Sequence, residues 1–99
     1  MNSPYDYVEM KIPAKSEFIG VIRLTLSGIA NRVGFSYDEI EDIKIATSEA
    51  CTNAIQHAYK ENEQGEVLIG FGLYKDRLEV IVSDRGQSFD FQVARKELG

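Results

Sequence analysis

Between Tyr37 and Lys60 the sequence YDEIEDIKIATSEACTNAIQHAYK runs without a glycine or a proline. Ile40, Ile43, Ala50, Ala54 and Ala58 recur at helical spacing across it, which predicts one long amphipathic helix. Its start is marked. Ser36 is followed three residues later by Glu39, so the serine hydroxyl can cap a backbone N–H while the glutamate reaches back to the serine's own N–H. The acidic residues Glu39, Glu41 and Asp42 then sit where the helix dipole favours negative charge, and read as a solvated face. A rod of this length has to be covered along its apolar stripe, and the flanking segments are built to do so.

DYVEMKIP alternates Val8, Met10 and Ile12 with Tyr7, Glu9 and Lys11, the two-residue period of a half-buried strand, and Pro13 stops it. From Ser16 to Val33, Phe18, Ile22, Leu26, Ile29 and Val33 recur on one helical face, with Gly34 as the C-terminal stop. KENEQGE is a polar loop. EVLIGFGLY places Val67, Ile69, Phe71 and Leu73 on one face and Gly70 and Gly72 on the other, which suggests a close neighbour or a thin edge on the glycine side. Lys75 and Asp76 form a tight turn. RLEVIVSD then points Leu78, Val80, Val82 and Asp84 one way, and the tail SFDFQVARKELG is read as having no clear period. The order strand, helix, helix, strand, strand predicts an α+β two-layer sandwich, with both helices packed on one face of a mixed or antiparallel sheet.

The net charge of -5 argues against a direct nucleic-acid binder, which needs clustered Lys and Arg to displace phosphate counterions. No apolar run approaches the roughly 20 residues that span a bilayer, and MNSPYDYVEM lacks the order of a signal peptide, so a cytoplasmic, non-membrane protein is expected. Cys51 is the single cysteine and reads as a small core residue rather than a disulfide or zinc ligand.

Within the long helix, SEACTNAIQH sets Glu49, Asn53 and His57 four residues apart, inside an arc of roughly 80°. Ala46, Ala50 and Ala54 lie beside that stripe, so the polar groups stand at the border of the buried face with space next to them. There a carboxylate can act as a base towards a hydroxyl, and a carboxamide oxygen one turn later can ligate a hard cation such as magnesium. Polar residues at such a border most often simply face water, and spacing alone favours that reading; His57 singly reads as a capping or packing histidine.

A second constellation changes the balance. Asp84 ends an apolar strand on its inner parity and is followed by Arg85 and Gly86, so a carboxylate at a pocket mouth meets a glycine that lets backbone approach a ligand. Such a carboxylate could accept a hydrogen bond from the exocyclic amine of adenine. An ordinary turn after a strand has the same residues.

Taken together, the helical block Glu49 to His57 and the turn Asp84-Arg85-Gly86 resemble the GHKL ATPase and kinase superfamily. IEDIKIATSEACTNAIQHAYKE, preceded by IRLTLSG and followed by RLEVIVSDRGQSFDF, is similar more closely to the anti-sigma-B factors of Bacillus-type bacteria, which are serine-protein kinases. The resemblance covers nearly the whole chain. It implies Glu49 as general base towards a protein serine, Asn53 as the ligand of the magnesium on the ATP phosphates, and Asp84 with Gly86 at the adenine. The superfamily pattern D-x-G-x-G has Ser88 at its second glycine here, a serine that also occurs in anti-sigma-B relatives. His57 matches a residue frequent in the motif, with no chemical step assigned to it.

The resemblance further implies an ATP- and magnesium-dependent protein that sequesters a stress-response sigma factor, phosphorylates a serine on an anti-anti-sigma factor, and forms a homodimer. Glu17 and Arg23 on the first helix are the expected sigma contacts, against the alternative of an ordinary exposed helix face. The family also carries a later glycine-rich motif, a mobile ATP lid and last strands, so residues 1–99 are expected to be a single domain without those parts and not to complete an ATP site alone. Two alternatives remain open: a non-catalytic sigma-binding module with a regulatory or decayed pocket, and the catalytic domain of a sensor histidine kinase.

Overall fold

A computed structural model describes residues 6–60, 65–84 and 87–94. Strand β1 (Asp6–Pro13) leads through a short 3-10 turn at Ser16–Phe18 into helix α1 (Ile19–Val33), then helix α2 (Tyr37–Lys60), and strands β2 (Glu66–Leu73), β3 (Arg77–Asp84) and β4 (Gln87–Ala94) follow. The strands form one antiparallel sheet in the order β1-β2-β3-β4. The expected α+β sandwich is found, with the sheet antiparallel throughout.

The α2 boundaries follow from local chemistry. The backbone N–H of Ser36 donates to Glu39 Oε1 at 2.8 Å and the backbone N–H of Glu39 donates to Ser36 Oγ at 3.2 Å, the reciprocal cap expected from the sequence. Replacing Ser36 by alanine is expected to destabilise the fold by about 1 kcal/mol, read from the denaturant midpoint. Helix α1 ends at Gly34, whose φ of 102° is left-handed. The N–H of Phe35 reaches back to the carbonyl of Ala30 across that turn at 3.1 Å, which folds the chain sharply into α2.

Register places Phe71 opposite Val8 and Val80, and Ile69 opposite Met10 and Val82, so alternate residues of three strands share the helix-facing side. Val67, Ile69, Phe71, Leu78 and Val80 are fully buried there. Helix α1 closes the core with Ile22, Leu26 and Ala30, and α2 with Ile43, Cys51 and Ile55. On the opposite side the Tyr7 ring lies over Gly70, where a β-carbon would collide with it; the glycines do have a close neighbour. Burial pushes the Cys51 thiol up to about 11, so it stays protonated at neutral pH. Thiol alkylation at pH 8 is expected to reach Cys51 only once the chain is unfolded, by a rate measured with and without denaturant.

The tail departs from the reading above. Residues from Gln87 to Ala94 form β4, paired with β3 through Val80↔Phe91 and Val82↔Phe89, so the sheet gains a fourth strand. Phe89, Phe91 and Val93 do alternate, and the ladder offered by β3 turns that short pattern into a strand. Among the described residues no helix is long and apolar enough to cross a membrane.

Candidate functional site

Helix α2 crosses the inner face of β2 and β3, and β3 ends at Asp84 beside the C-terminal half of α2. Between them lies an open cavity of about 620 Å³. One wall is the small-residue face of the helix, Ala46, Ala50 and Ala54. The other is Val82 with Phe89 and Phe91 of β4, whose rings are 5.8 Å apart and tilted by 45°. Alanines on the helix leave the width that larger side chains would fill.

The polar groups of the cavity are Glu49, Asn53 and His57 from α2, Asp84 from β3 and Ser88 from β4. The helical ladder and the strand-end carboxylate, some thirty residues apart in the chain, therefore face one space. Asp84 is only 5% exposed. Its Oδ2 lies 3.2 Å from Nδ1 of His57. A carboxylate can only accept, so Nδ1 carries the proton in this contact. Asp84 Oδ1 is buried and has no hydrogen-bond partner among the described residues. Burying a carboxylate oxygen without a donor is costly, and a ligand N–H would remove that cost.

Glu49 and Asn53 are exposed at the cavity rim. No cluster of three or more His, Cys, Asp or Glu side chains that could hold a metal occurs among the described residues. A single carboxamide suits magnesium carried in on phosphates, because that ion retains waters and substrate oxygens rather than seeking a full protein cage.

The remaining candidates lie elsewhere. Gly86 falls outside the described residues. Glu17, in the 3-10 turn, and Arg23, on α1, are exposed, and Arg23 Nε donates to Ser48 Oγ of α2 at 2.9 Å. Sequence reasoning left His57 without a role and did not place Phe89 or Phe91 at the cavity. The aromatic alternation could have found the phenylalanines. No sequence signal gives the His57–Asp84 contact, which depends on how α2 seats on β3.

Residues 12–98 match the family model of the histidine kinase-like ATPase domain. The chain is 64% identical over 99 residues to the serine-protein kinase RsbW of Bacillus subtilis strain 168, covering 100% of this chain and 62% of that protein. It is 63% identical over 100 residues to the protein of the same name from Bacillus licheniformis, covering 100% of this chain and 62% of that one. The corresponding protein of Oceanobacillus iheyensis is 61% identical over 97 residues, which cover 98% of this chain and 61% of that protein. The chain thus spans somewhat less than two thirds of the length of these relatives.

Proposed function

The chain belongs to the histidine kinase-like ATPase domain family, and from that premise we propose that it forms the nucleotide-binding part of an ATP-dependent protein serine kinase that is also an anti-sigma factor. The observation that carries this is the order of groups along the cavity, three on α2 and one facing them from the end of β3. His57 with Asp84, then Asn53, then Glu49 succeed one another over about 12 Å of helix axis. That order suits a ligand lying along the helix with its base at Asp84, its phosphates at Asn53 and the acceptor hydroxyl at Glu49.

In this reading Oδ1 of Asp84 accepts from the exocyclic amine of adenine, and Gly86 is assigned to the base by the sequence resemblance alone. The apolar wall of alanines, Val82 and the two phenylalanines excludes water from the ring. Asn53 offers its carboxamide oxygen to magnesium, which when bound neutralises charge on the phosphates. Glu49 takes the proton from the attacking serine hydroxyl, from the exposed rim where a protein substrate can reach it.

The substrate is a serine of a small anti-anti-sigma protein, and the sequestered partner is a sigma factor, as the serine-kinase name of the relatives and the sequence resemblance support. Glu17 and Arg23 are proposed sigma contacts, and the protein is proposed to be a cytoplasmic homodimer. A pull-down of the full-length protein in ATP or ADP, with bound proteins identified, tests the partner assignment. Recovery of a sigma factor and a small antagonist is expected; recovery of neither removes it.

A further inference from the structure

The contact between His57 and Asp84 has a consequence for ligand choice. Asp84 is nearly fully buried, one of its oxygens is held by a ring N–H, and the other has no hydrogen-bond partner among the described residues. Those facts together fix more than a distance. A carboxylate held at one oxygen cannot turn freely about its Cβ–Cγ bond, so the direction of the remaining acceptor is set. A carboxylate oxygen accepts a hydrogen bond and cannot donate one. Without the His57 contact the carboxyl group can turn, and the direction of Oδ1 is no longer set.

We propose that His57 is a positioning residue that makes the pocket selective for a 6-amino purine over a 6-keto purine, by holding Asp84 Oδ2 and leaving Oδ1 as a fixed acceptor. This rests on the adenine-pocket reading above. The two bases differ at that edge in hydrogen-bond polarity, an amine donor in one and a keto acceptor in the other. A site with one buried acceptor rejects the keto base because the two acceptors would face each other unpaired. His57 stands at the half-exposed mouth, with a side chain 38% exposed, and reaches Asp84 from the opposite wall.

The test compares ATP and inosine triphosphate, with magnesium, on the full-length protein and four forms: parent, His57→Ala, His57→Asn and Asp84→Ala. An asparagine amide nitrogen occupies the place of the imidazole Nδ1 from the same Cγ, so His57→Asn retains the donor to Asp84 without the ring. His57→Ala is expected to weaken ATP binding about tenfold and to lower the preference for ATP over inosine triphosphate by a similar factor. Its kcat at saturating ATP should change little, and His57→Asn should restore most of the preference. An unchanged preference in His57→Ala, or equal loss in His57→Ala and His57→Asn, overturns the inference. Asp84→Ala separates the two levels: if it leaves ATP binding intact the pocket reading itself is wrong, whereas if it abolishes binding while His57→Ala matches the parent, only the role of His57 is wrong.

Discussion

Replacing Glu49 by glutamine is expected to slow serine phosphorylation by about 10² to 10⁴-fold, the usual worth of a positioned general base, while ATP binding stays near the parental level. The substitution keeps the size of the side chain and removes its basicity. Glu49 is exposed at the cavity rim, so the change creates neither a cavity nor a buried orphan, and folding should be unaffected. About two helical turns of α2 separate it from His57, which contacts Asp84 at the proposed base site. Steady-state kinetics therefore give a sharp signature, with kcat reduced and the KM for ATP little changed. Parental kcat in this variant would remove Glu49 from the chemistry while leaving the nucleotide pocket standing.

The second large effect is expected at Asp84. Its replacement by alanine removes a buried carboxylate oxygen that has no hydrogen-bond partner among the described residues, and a lost hydrogen bond to a charged group in a buried site corresponds to roughly 10 to 100-fold in affinity. Thermal unfolding reads this directly, because a ligand that binds the folded state alone raises the melting temperature with concentration. The parent should show that rise with ATP and magnesium, and Asp84→Ala should not. The melting temperature without nucleotide reports independently whether the variant folds. Kinase activity should fall in parallel, through KM rather than kcat, the reverse of the Glu49 pattern.

Much of this architecture is legible residue by residue. The bounds of α2 can be read because Ser36 and Glu39 mark its start and no helix breaker follows until the loop. Gly34 can be read because a helix that reverses needs a left-handed residue. The ladder of Glu49, Asn53 and His57 follows from helical period alone, and the inner parity of Asp84 follows from the strand period. What one-dimensional pattern cannot supply is contact between elements. His57 and Asp84 meet only because α2 packs across β3, and the Tyr7 ring covers Gly70 only because β1 pairs with β2 in one register. Strand β4 illustrates the intermediate case. Its three alternating apolar residues are a short signal, and hydrogen bonding to β3 completes it.

The buried, half-satisfied Asp84 also bears on stability. A buried carboxylate oxygen with no donor among the described residues carries a desolvation cost that a hydrogen-bond donor removes. A ligand N–H at this depth is what the adenine contact proposed for the pocket would supply.

The most direct test is phosphosite mapping by mass spectrometry after the full-length protein is incubated with magnesium, ATP and the small antagonist. The expected result is a phosphorylated serine on the antagonist, absent when Glu49→Gln replaces the parent. A phosphohistidine product, or ATP bound and no phosphate on the antagonist, would contradict the assignment of this cavity to serine phosphorylation.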